Sequence, residues 1–223
     1  GFEISCEKCY IAGALWLDYD LDGYLDIFLS DYNQISPNKL YRNLGDETFE
    51  QIDLTDYIEN SNSFSAIPIY ANDDMFPDIY IANDFDQFNQ LLINQDGQGF
   101  IEMAVEYGVQ DPFDGMGLTT CDFNNDLSLD FFVTNIKENS LYTKNTPNSS
   151  FAYTNYSEEA NLYDTDWAWG VTFSDFNHDG FEDFYVANGF FNPENDRFFV
   201  NDSGNNFTYS DFSGNPPLMS KSR

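Results

Sequence analysis

Carboxylate and amide side chains recur at two-residue spacing in several short turns of this sequence. The clearest case is "FSDFNHDGFEDFYVANG" at residues 173–189, with oxygen-bearing side chains at Asp175, Asn177, Asp179 and Asp183. Like charges held so close together destabilise a fold unless a cation lies between them. In a tight loop such alternate positions converge on one point, and calcium accepts six to eight oxygen ligands at about 2.3–2.6 Å. The spacing therefore predicts a calcium site.

The same pattern occurs in three turns, which we call loops 1, 3 and 4 in chain order. Side chains at positions 1, 3, 5 and 9 and the backbone carbonyl at position 7 are the predicted ligands. In loop 1 these are Asp18, Asp20, Asp22, Tyr24 (carbonyl) and Asp26; in loop 3, Asp122, Asn124, Asp126, Ser128 (carbonyl) and Asp130; in loop 4, Asp175, Asn177, Asp179, Phe181 (carbonyl) and Asp183. About three calcium ions are expected, which would change the formal net charge from −31 to −31 + 6 = −25.

A fourth turn, loop 2, is a weaker version of the pattern. Tyr70 replaces the first ligand and Met75 replaces the turn glycine, whereas Asn72, Asp74 and Asp78 remain. Ligand charge and turn geometry are both reduced, so weak calcium binding and a purely structural turn stay open.

Other readings of the acidic turns are less consistent with the sequence. An EF-hand requires flanking helices and a Glu at position 12, where this chain has Leu29, Val133 and Val186 inside apolar strands. Zinc prefers His or Cys, and magnesium retains more water than such oxygen-rich loops allow. A solvated acidic turn remains the alternative for a single copy, but three copies in register favour calcium.

The turns belong to a repeat whose copies begin at residues 18, 70, 122 and 175, which are 52, 52 and 53 residues apart. Each copy contains four apolar segments with alternating patterns, separated by turns rich in Asn, Asp and Gly, as expected for short strands. Four strands in about 50 residues is the size of a propeller blade. The predicted fold is an all-β β-propeller with four four-stranded blades of about 52 residues, at 11–56, 63–106, 115–157 and 168–211, followed by a tail or linker at 212–223.

The amino-terminal segment "GFEIS" at residues 1–5 resembles the fourth strand of a preceding unit. The chain then has more fourth strands than first strands. An arc of a larger propeller, an open repeat array, strand donation to a neighbouring chain and a closed four-bladed ring therefore all remain open.

Composition limits the partners. The chain has 39 acidic and 8 basic residues, so nucleic acid and anionic membrane surfaces are unfavourable partners. No window of the sequence is apolar enough to span a membrane. Cys6 and Cys9 form a single CxxC, for which a local or intermolecular disulfide is favoured over redox catalysis, and Cys121 is expected to be a buried thiol.

The pattern of an apolar strand with Gly, then DxDxDGxxD, then an apolar strand and "LYRN" resembles the FG-GAP/VCBS repeat of integrin alpha-subunit propellers. Within it, "WAWGVTFSDFNHDGFEDFYVANG" and "NKLYRNLGDETFEQI" are most similar to the cartilage acidic protein/UnbV group. The resemblance covers nearly the whole chain. It implies a calcium-binding β-propeller in secreted or cell-surface proteins, usually with seven blades and with calcium ligands at the positions named above.

The predicted function is that of an extracellular, calcium-binding and non-enzymatic propeller in adhesion, recognition or assembly. Its expected partners are proteins or glycans, bound by the loops at residues 31–38, 83–90, 135–140 and 188–196. Two alternatives remain: a structural subunit of an extracellular fibre that self-associates by strand donation, and an enzyme acting on polysaccharides. Sequons at Asn148, Asn155, Asn201 and Asn206 predict a glycoprotein if the source secretes and glycosylates it.

Overall fold

The structure is a computed structural model that describes residues 8–72, 74–144, 152–189 and 196–210, apart from the side chain of Lys137. The predicted outer strand at 1–5 and the predicted tail at 212–223 lie outside the described residues.

Within these ranges the chain forms short strands and one helical turn. In chain order they are β1 (Ile11–Leu17), β2 (Asp26–Asp31), β3 (Lys39–Asn43), β4 (Phe49–Ile52), β5 (Ser63–Ile69), β6 (Asp78–Asn83), β7 (Gln90–Asn94), β8 (Phe100–Glu102), α1 (Ala104–Tyr107), β9 (Leu118–Cys121), β10 (Asp130–Val133), β11 (Ile136–Glu138), β12 (Ser140–Lys144), β13 (Tyr153–Asn155), β14 (Asp164–Ser174), β15 (Asp183–Asn188), β16 (Arg197–Asn201) and β17 (Phe207–Ser210).

The strands form four antiparallel sheets, numbered here in chain order. Their strand orders are β1-β2-β3-β4, β5-β6-β7-β8, β13-β12-β10-β9 and β11-β14-β15-β16-β17. Strands β2, β6, β10 and β15 each begin at the ninth position of an acidic loop, so that the loops connect β1 to β2, β5 to β6, β9 to β10 and β14 to β15. This all-β architecture of four-stranded sheets is consistent with a β-propeller-like fold.

The chain divides into two compact units, each built around two sheets. Among the described residues, unit 1 consists of 8–72, 74–115 and 152, and unit 2 of 116–144, 153–189 and 196–210. In unit 1, sheets 1 and 2 share a core that includes Phe28 and Ile79, and in unit 2, sheets 3 and 4 share a core that includes Phe132 and Phe184. The Phe132 and Phe184 rings meet edge to face, 4.5 Å between centroids. Alternate residues of each strand thus bury an apolar face between paired sheets.

Glycine permits close approach of the two sheets within each unit. A Cβ built on Gly13 would lie 3.0 Å from the Phe64 carbonyl oxygen, and one on Gly117 would lie 2.2 Å from that of Trp169. Phe64 and Trp169 occupy the same position of their sheets, where the register of the first strand shifts as in a β-bulge. The absence of a side chain at Gly13 and Gly117 is therefore a packing requirement, whereas a Cβ on Gly170 would meet only the Ala187 side chain, at 3.8 Å.

Two elements differ from the sequence prediction. The loop at residues 135–140 contains strand β11, which pairs with β14 and gives sheet 4 a fifth strand. Strand β14 is also longer than expected, since it begins at Asp164. Residues 136–138 are too few and too polar to show an alternating pattern, which explains why the sequence did not reveal this strand.

Candidate functional site

The first carboxylate of loops 1, 3 and 4 organises its loop in the same way each time. Its two oxygens accept the backbone N–H groups of positions 5 and 6. In loop 1, Asp18 accepts Asp22 N–H at 3.1 Å and Gly23 N–H at 3.0 Å; in loop 3, Asp122 accepts Asp126 N–H at 3.0 Å and Leu127 N–H at 3.1 Å; in loop 4, Asp175 accepts Asp179 N–H and Gly180 N–H, both at 3.0 Å. The sequence motif therefore defines a repeated backbone geometry.

The fifth position completes the turn. Its Oδ1 accepts the backbone N–H of the predicted carbonyl ligand at position 7. The distances are 2.9 Å for Tyr24 N–H to Asp22, 2.7 Å for Ser128 N–H to Asp126 and 2.9 Å for Phe181 N–H to Asp179. Positions 5 and 7 are thereby linked within one compact turn.

The tight curvature requires left-handed backbone at position 6, where loops 1 and 4 have Gly23 and Gly180 with φ of 91° and 94°. Loop 3 has Leu127 at this position, and its φ of 68° places a branched side chain in the same strained region. Leu127 is also 94% exposed, so that packing does not compensate for the strain.

The ninth carboxylate is fully buried in every loop, at Asp26, Asp78, Asp130 and Asp183. It connects the loop to the third strand of its sheet. Asp26, for example, accepts Tyr19 N–H at 3.0 Å and Asn43 N–H at 2.8 Å, and Asp78 and Asp183 make the equivalent pair of bonds. Carboxylates that accept two bonds in this way still have lone pairs directed elsewhere.

Asp130 departs from this arrangement in a way that suits a cation. Its Oδ1 accepts the Lys144 N–H at 3.3 Å, but its Oδ2 has no hydrogen-bond donor. The Phe123 amide faces the carboxylate without reaching hydrogen-bond geometry with that oxygen. A buried, unpartnered carboxylate oxygen is costly, and a bound cation would satisfy it.

The pKa of the ninth carboxylate is raised by its burial and by the other acids of its loop. Burial raises the pKa of Asp26 to about 6 and that of Asp130 to about 7, with further increases from loop neighbours: Asp20 and Asp22 for Asp26, Asp126 and Asp122 for Asp130. The pKa of Asp183 is also raised by burial and by Asp179. Without a cation, these loops keep like charges together at a cost to the folded state.

Loop 1 has the densest acidic cluster. One carboxylate oxygen from each of Asp18, Asp20 and Asp22 lies within 4.8 Å of the others. The guanidinium of Arg42 lies beside them, with Nε 2.6 Å from Asp20 Oδ2 and Nη2 3.3 Å from Asp22 Oδ2. Arg42 thus supplies part of the positive charge that this loop requires. The equivalent residues of sheets 3 and 4 are Thr143 and Val200, which carry no charge.

Loop 2 keeps the ninth carboxylate but lacks the first. Asn72 donates from Nδ2 to Asp74 Oδ2 at 2.6 Å, and burial raises the pKa of Asp78 to about 6. Tyr70 offers no side-chain carboxylate to organise the turn. Among the described residues, an acidic cluster like that of loop 1 occurs in none of loops 2, 3 and 4.

A contact that the sequence did not reveal supports loops 1 and 3. Asn94, the last residue of β7, donates to the Tyr19 carbonyl of loop 1 at 2.8 Å and to the Pro77 carbonyl of its own sheet at 3.1 Å. Asn201, the last residue of β16, makes the same pair of bonds, to the Phe123 and Glu182 carbonyls, at 2.8 and 3.0 Å. The asparagine that ends "LLIN" and "FFVN" is the sequence signal for this link.

Other predicted features lie outside the loops. Cys9 is disulfide-bonded, and Cys121 is a free, buried thiol whose pKa is raised by burial. Among the sequons, Asn201 has a buried side chain bonded at both ends, so that it is not accessible to glycosylation in the folded chain. Asn155 is exposed, and Asn148 lies outside the described residues.

Comparison with known proteins identifies an FG-GAP-like repeat at residues 122–186. This segment begins at the first ligand position of loop 3 and ends in β15, so it includes both loops of unit 2. No curated protein matches the chain. None of the described helices is long and apolar enough to cross a bilayer.

One similar solved structure is described as the basis of specific recognition of non-reducing terminal N-acetylglucosamine by an Agrocybe aegerita lectin. It is 12% identical, with a TM-score of 0.45, and the match covers 88% of this chain and 51% of that one. This chain therefore spans about half the length of that structure.

Proposed function

We propose that this chain is a calcium-binding, propeller-like recognition module that acts outside the cell without catalysis, in the manner of integrin alpha-subunit propellers and the cartilage acidic protein/UnbV group. Calcium would be held by loops 1, 3 and 4, and loop 2 would serve as a structural turn. The ions would supply positive charge that the loops lack and would be coordinated by the loop oxygens, and would therefore contribute to folding stability.

The observation that carries this proposal is the buried Oδ2 of Asp130, which has no donor although it lies beside the acids of loop 3. Burial of the ninth carboxylate does not by itself indicate a cation, because Asp78 in loop 2 is equally buried and both of its oxygens accept backbone N–H groups, whereas the Oδ2 of Asp130 has no such donor. Loops 1 and 4 repeat the geometry of loop 3 at positions 1 and 5, which supports the same role for each.

Calcium titration of metal-free protein tests the proposal, with bound metal counted by elemental analysis. We expect about three ions per chain and a higher melting temperature in calcium than in chelator. Asp126→Asn should remove one ion, whereas Glu159→Gln, which removes the same charge at an exposed position in unit 2, should remove none. Equal stoichiometry in both variants, or no bound calcium in the parent chain, would reject the proposal.

A further inference from the structure

Unit 1 contains a cavity of about 650 Å³ that lies apart from the acidic loops. It is lined by the segment that follows β4, by the loop between β6 and β7, and by residues next to β8. This volume falls within the range of small-molecule sites, but such sites are usually more apolar than this one. The lining residues that carry the argument are Ser61, Asn83, Gln87, Phe88, Gln90 and Glu102.

The inner wall is a fixed network of neutral hydrogen-bonding groups. Ser61 donates to Asn83 Oδ1 at 3.0 Å and approaches Gln90 Oε1 at 3.4 Å, and Asn83 Nδ2 approaches the same Gln90 oxygen at 3.5 Å. These contacts orient the Gln90 amide, and its Nε2 has no partner among the described residues. Gln90 is only 9% exposed, so the orientation of this donor is determined by the protein and not by solvent.

In each of two further side chains that line the cavity, one polar atom is hydrogen-bonded to the protein and the other polar atom has no hydrogen bond to any described residue. Glu102 Oε1 accepts the N–H groups of Leu91 and Ala104, at 3.2 and 2.9 Å, which leaves Oε2 as a free acceptor. Gln87 Oε1 accepts the Asn62 N–H at 2.6 Å, which leaves Nε2 as a free donor. The cavity therefore offers donors and acceptors together. Gln87 and Glu102 are held by bonds from backbone N–H groups, and Gln90 is held by side-chain contacts.

The combination of hydrogen-bond donors and acceptors in the cavity favours some classes of ligand over others. An amine or metal cation cannot accept a hydrogen bond, so it would leave the amide donors of Gln87 and Gln90 unpaired. Anionic ligands would meet the carboxylates of Asp56, Glu59 and Asp86 at the same cavity. A hydroxyl group both donates and accepts, and Phe88, which is 53% exposed, offers an aromatic surface for the apolar face of a sugar ring.

We propose that this cavity binds a neutral saccharide, through hydroxyl bonds to Gln87, Gln90 and Glu102 and ring contact with Phe88. The inference rests on the proposed recognition function and assigns it a ligand class and a site. It does not require the calcium loops to contact the sugar.

Binding is tested by calorimetry with a panel of probes. The neutral probes are tetrasaccharides of glucose, mannose and N-acetylglucosamine; a sulfated tetrasaccharide and putrescine represent anionic and cationic ligands. Phe88→Ala removes the exposed ring, and Gln87→Glu keeps the acceptor for Asn62 N–H while it replaces the free donor with an oxygen. Phe85→Ala is the matched control, because Phe85 is 64% exposed on the same loop but does not line the cavity.

We expect at least one neutral probe to bind, and Phe88→Ala and Gln87→Glu each to weaken it about tenfold, with Phe85→Ala within about twofold of the parent. Binding of only the sulfated probe or putrescine, no binding of neutral probes, or neutral binding that both cavity variants retain would overturn the inference. Calcium stoichiometry is measured on the same samples. Normal calcium binding without sugar binding rejects the saccharide site alone, and sugar binding without calcium rejects the calcium proposal alone.

Discussion

Leu127 differs in residue type from its equivalents in the other loops but keeps the same left-handed backbone conformation. It occupies the left-handed position that glycine holds in loops 1 and 4, and its side chain is almost wholly exposed. The cost of left-handed backbone for an L-residue is about 1–2 kcal/mol, and it is partly offset because glycine has more conformational entropy to lose on folding.

We therefore expect Leu127→Gly to stabilise the chain by about 0.5–1 kcal/mol. Gly180→Ala, at the same position of loop 4, should destabilise it, because it introduces the same strain. Chemical denaturation in saturating calcium measures both. A destabilised Leu127→Gly variant would mean that the leucine makes a contribution that its exposure does not indicate.

Asp130 is predicted to have opposite effects in calcium and in chelator. Its folded pKa of about 7 lies above the value near 3.9 of an unfolded Asp, so that its favourable contribution is present at low pH and is lost as the pH rises through 7. Metal-free protein should therefore lose stability between pH 5.5 and pH 8. Asp130→Asn should show a flatter profile and, at pH 8 in chelator, be more stable than the parent by about 1–3 kcal/mol.

In calcium the same variant should bind one ion less tightly and be the less stable protein. Thermal unfolding at both pH values, with calcium and with chelator, gives the four values required. If Asp130→Asn is less stable than the parent in chelator at pH 8, the buried carboxylate is satisfied by the protein alone.

At the scale of elements, the paired sheets in each unit depend on residues without side chains. A Cβ at Gly117 would lie 2.2 Å from a backbone oxygen that cannot move independently of β14, whereas a Cβ at Gly170 would meet only the Ala187 side chain, at 3.8 Å. Both glycines occupy the same position of the repeat.

We expect Gly117→Ala to destabilise the chain by about 3 kcal/mol through overpacking, and Gly170→Ala to change stability by less than about 0.5 kcal/mol. Urea denaturation of the two variants gives the comparison. Similar losses in both would indicate that the backbone conformation at this position, and not the approach of the next sheet, selects glycine.

The elements with a regular pattern could be predicted from the sequence. Strands β3, β7 and β16 coincide with short apolar segments that end in Asn, and each of them buries adjacent residues instead of alternate ones. The burial of Asp26 and its equivalents could not be predicted, since a ligand motif gives the type of a side chain and not its depth. The loop at residues 83–90, which forms one wall of the cavity, was predicted as a contact loop, but the opposite wall was not, because residues 55–61 have neither repeat nor period and approach that loop only in the folded unit.

For the whole molecule, the dominant quantity is the formal net charge of −31. Such a charge destabilises a compact state by self-repulsion, and salt screens that repulsion over a Debye length of about 10 Å at 0.1 M and about 3 Å at 1 M. Three calcium ions would remove only a small part of this charge. Their effect on stability should therefore come from coordination at the loops and not from general neutralisation.

These two effects are separated by comparing salt with calcium. In chelator, raising sodium chloride from 0.1 to 1 M should increase the melting temperature by several degrees, because it screens the diffuse charge. At 0.1 M salt, calcium at 100 times its dissociation constant should stabilise each occupied site by about 2.7 kcal/mol, a larger total effect than salt alone if three sites fill. Magnesium at the same concentration should give less, since the loops offer more oxygens than its octahedral shell prefers. If 1 M salt or magnesium matches calcium, the loops act as diffuse counterion sites, and the structural role proposed for them is wrong.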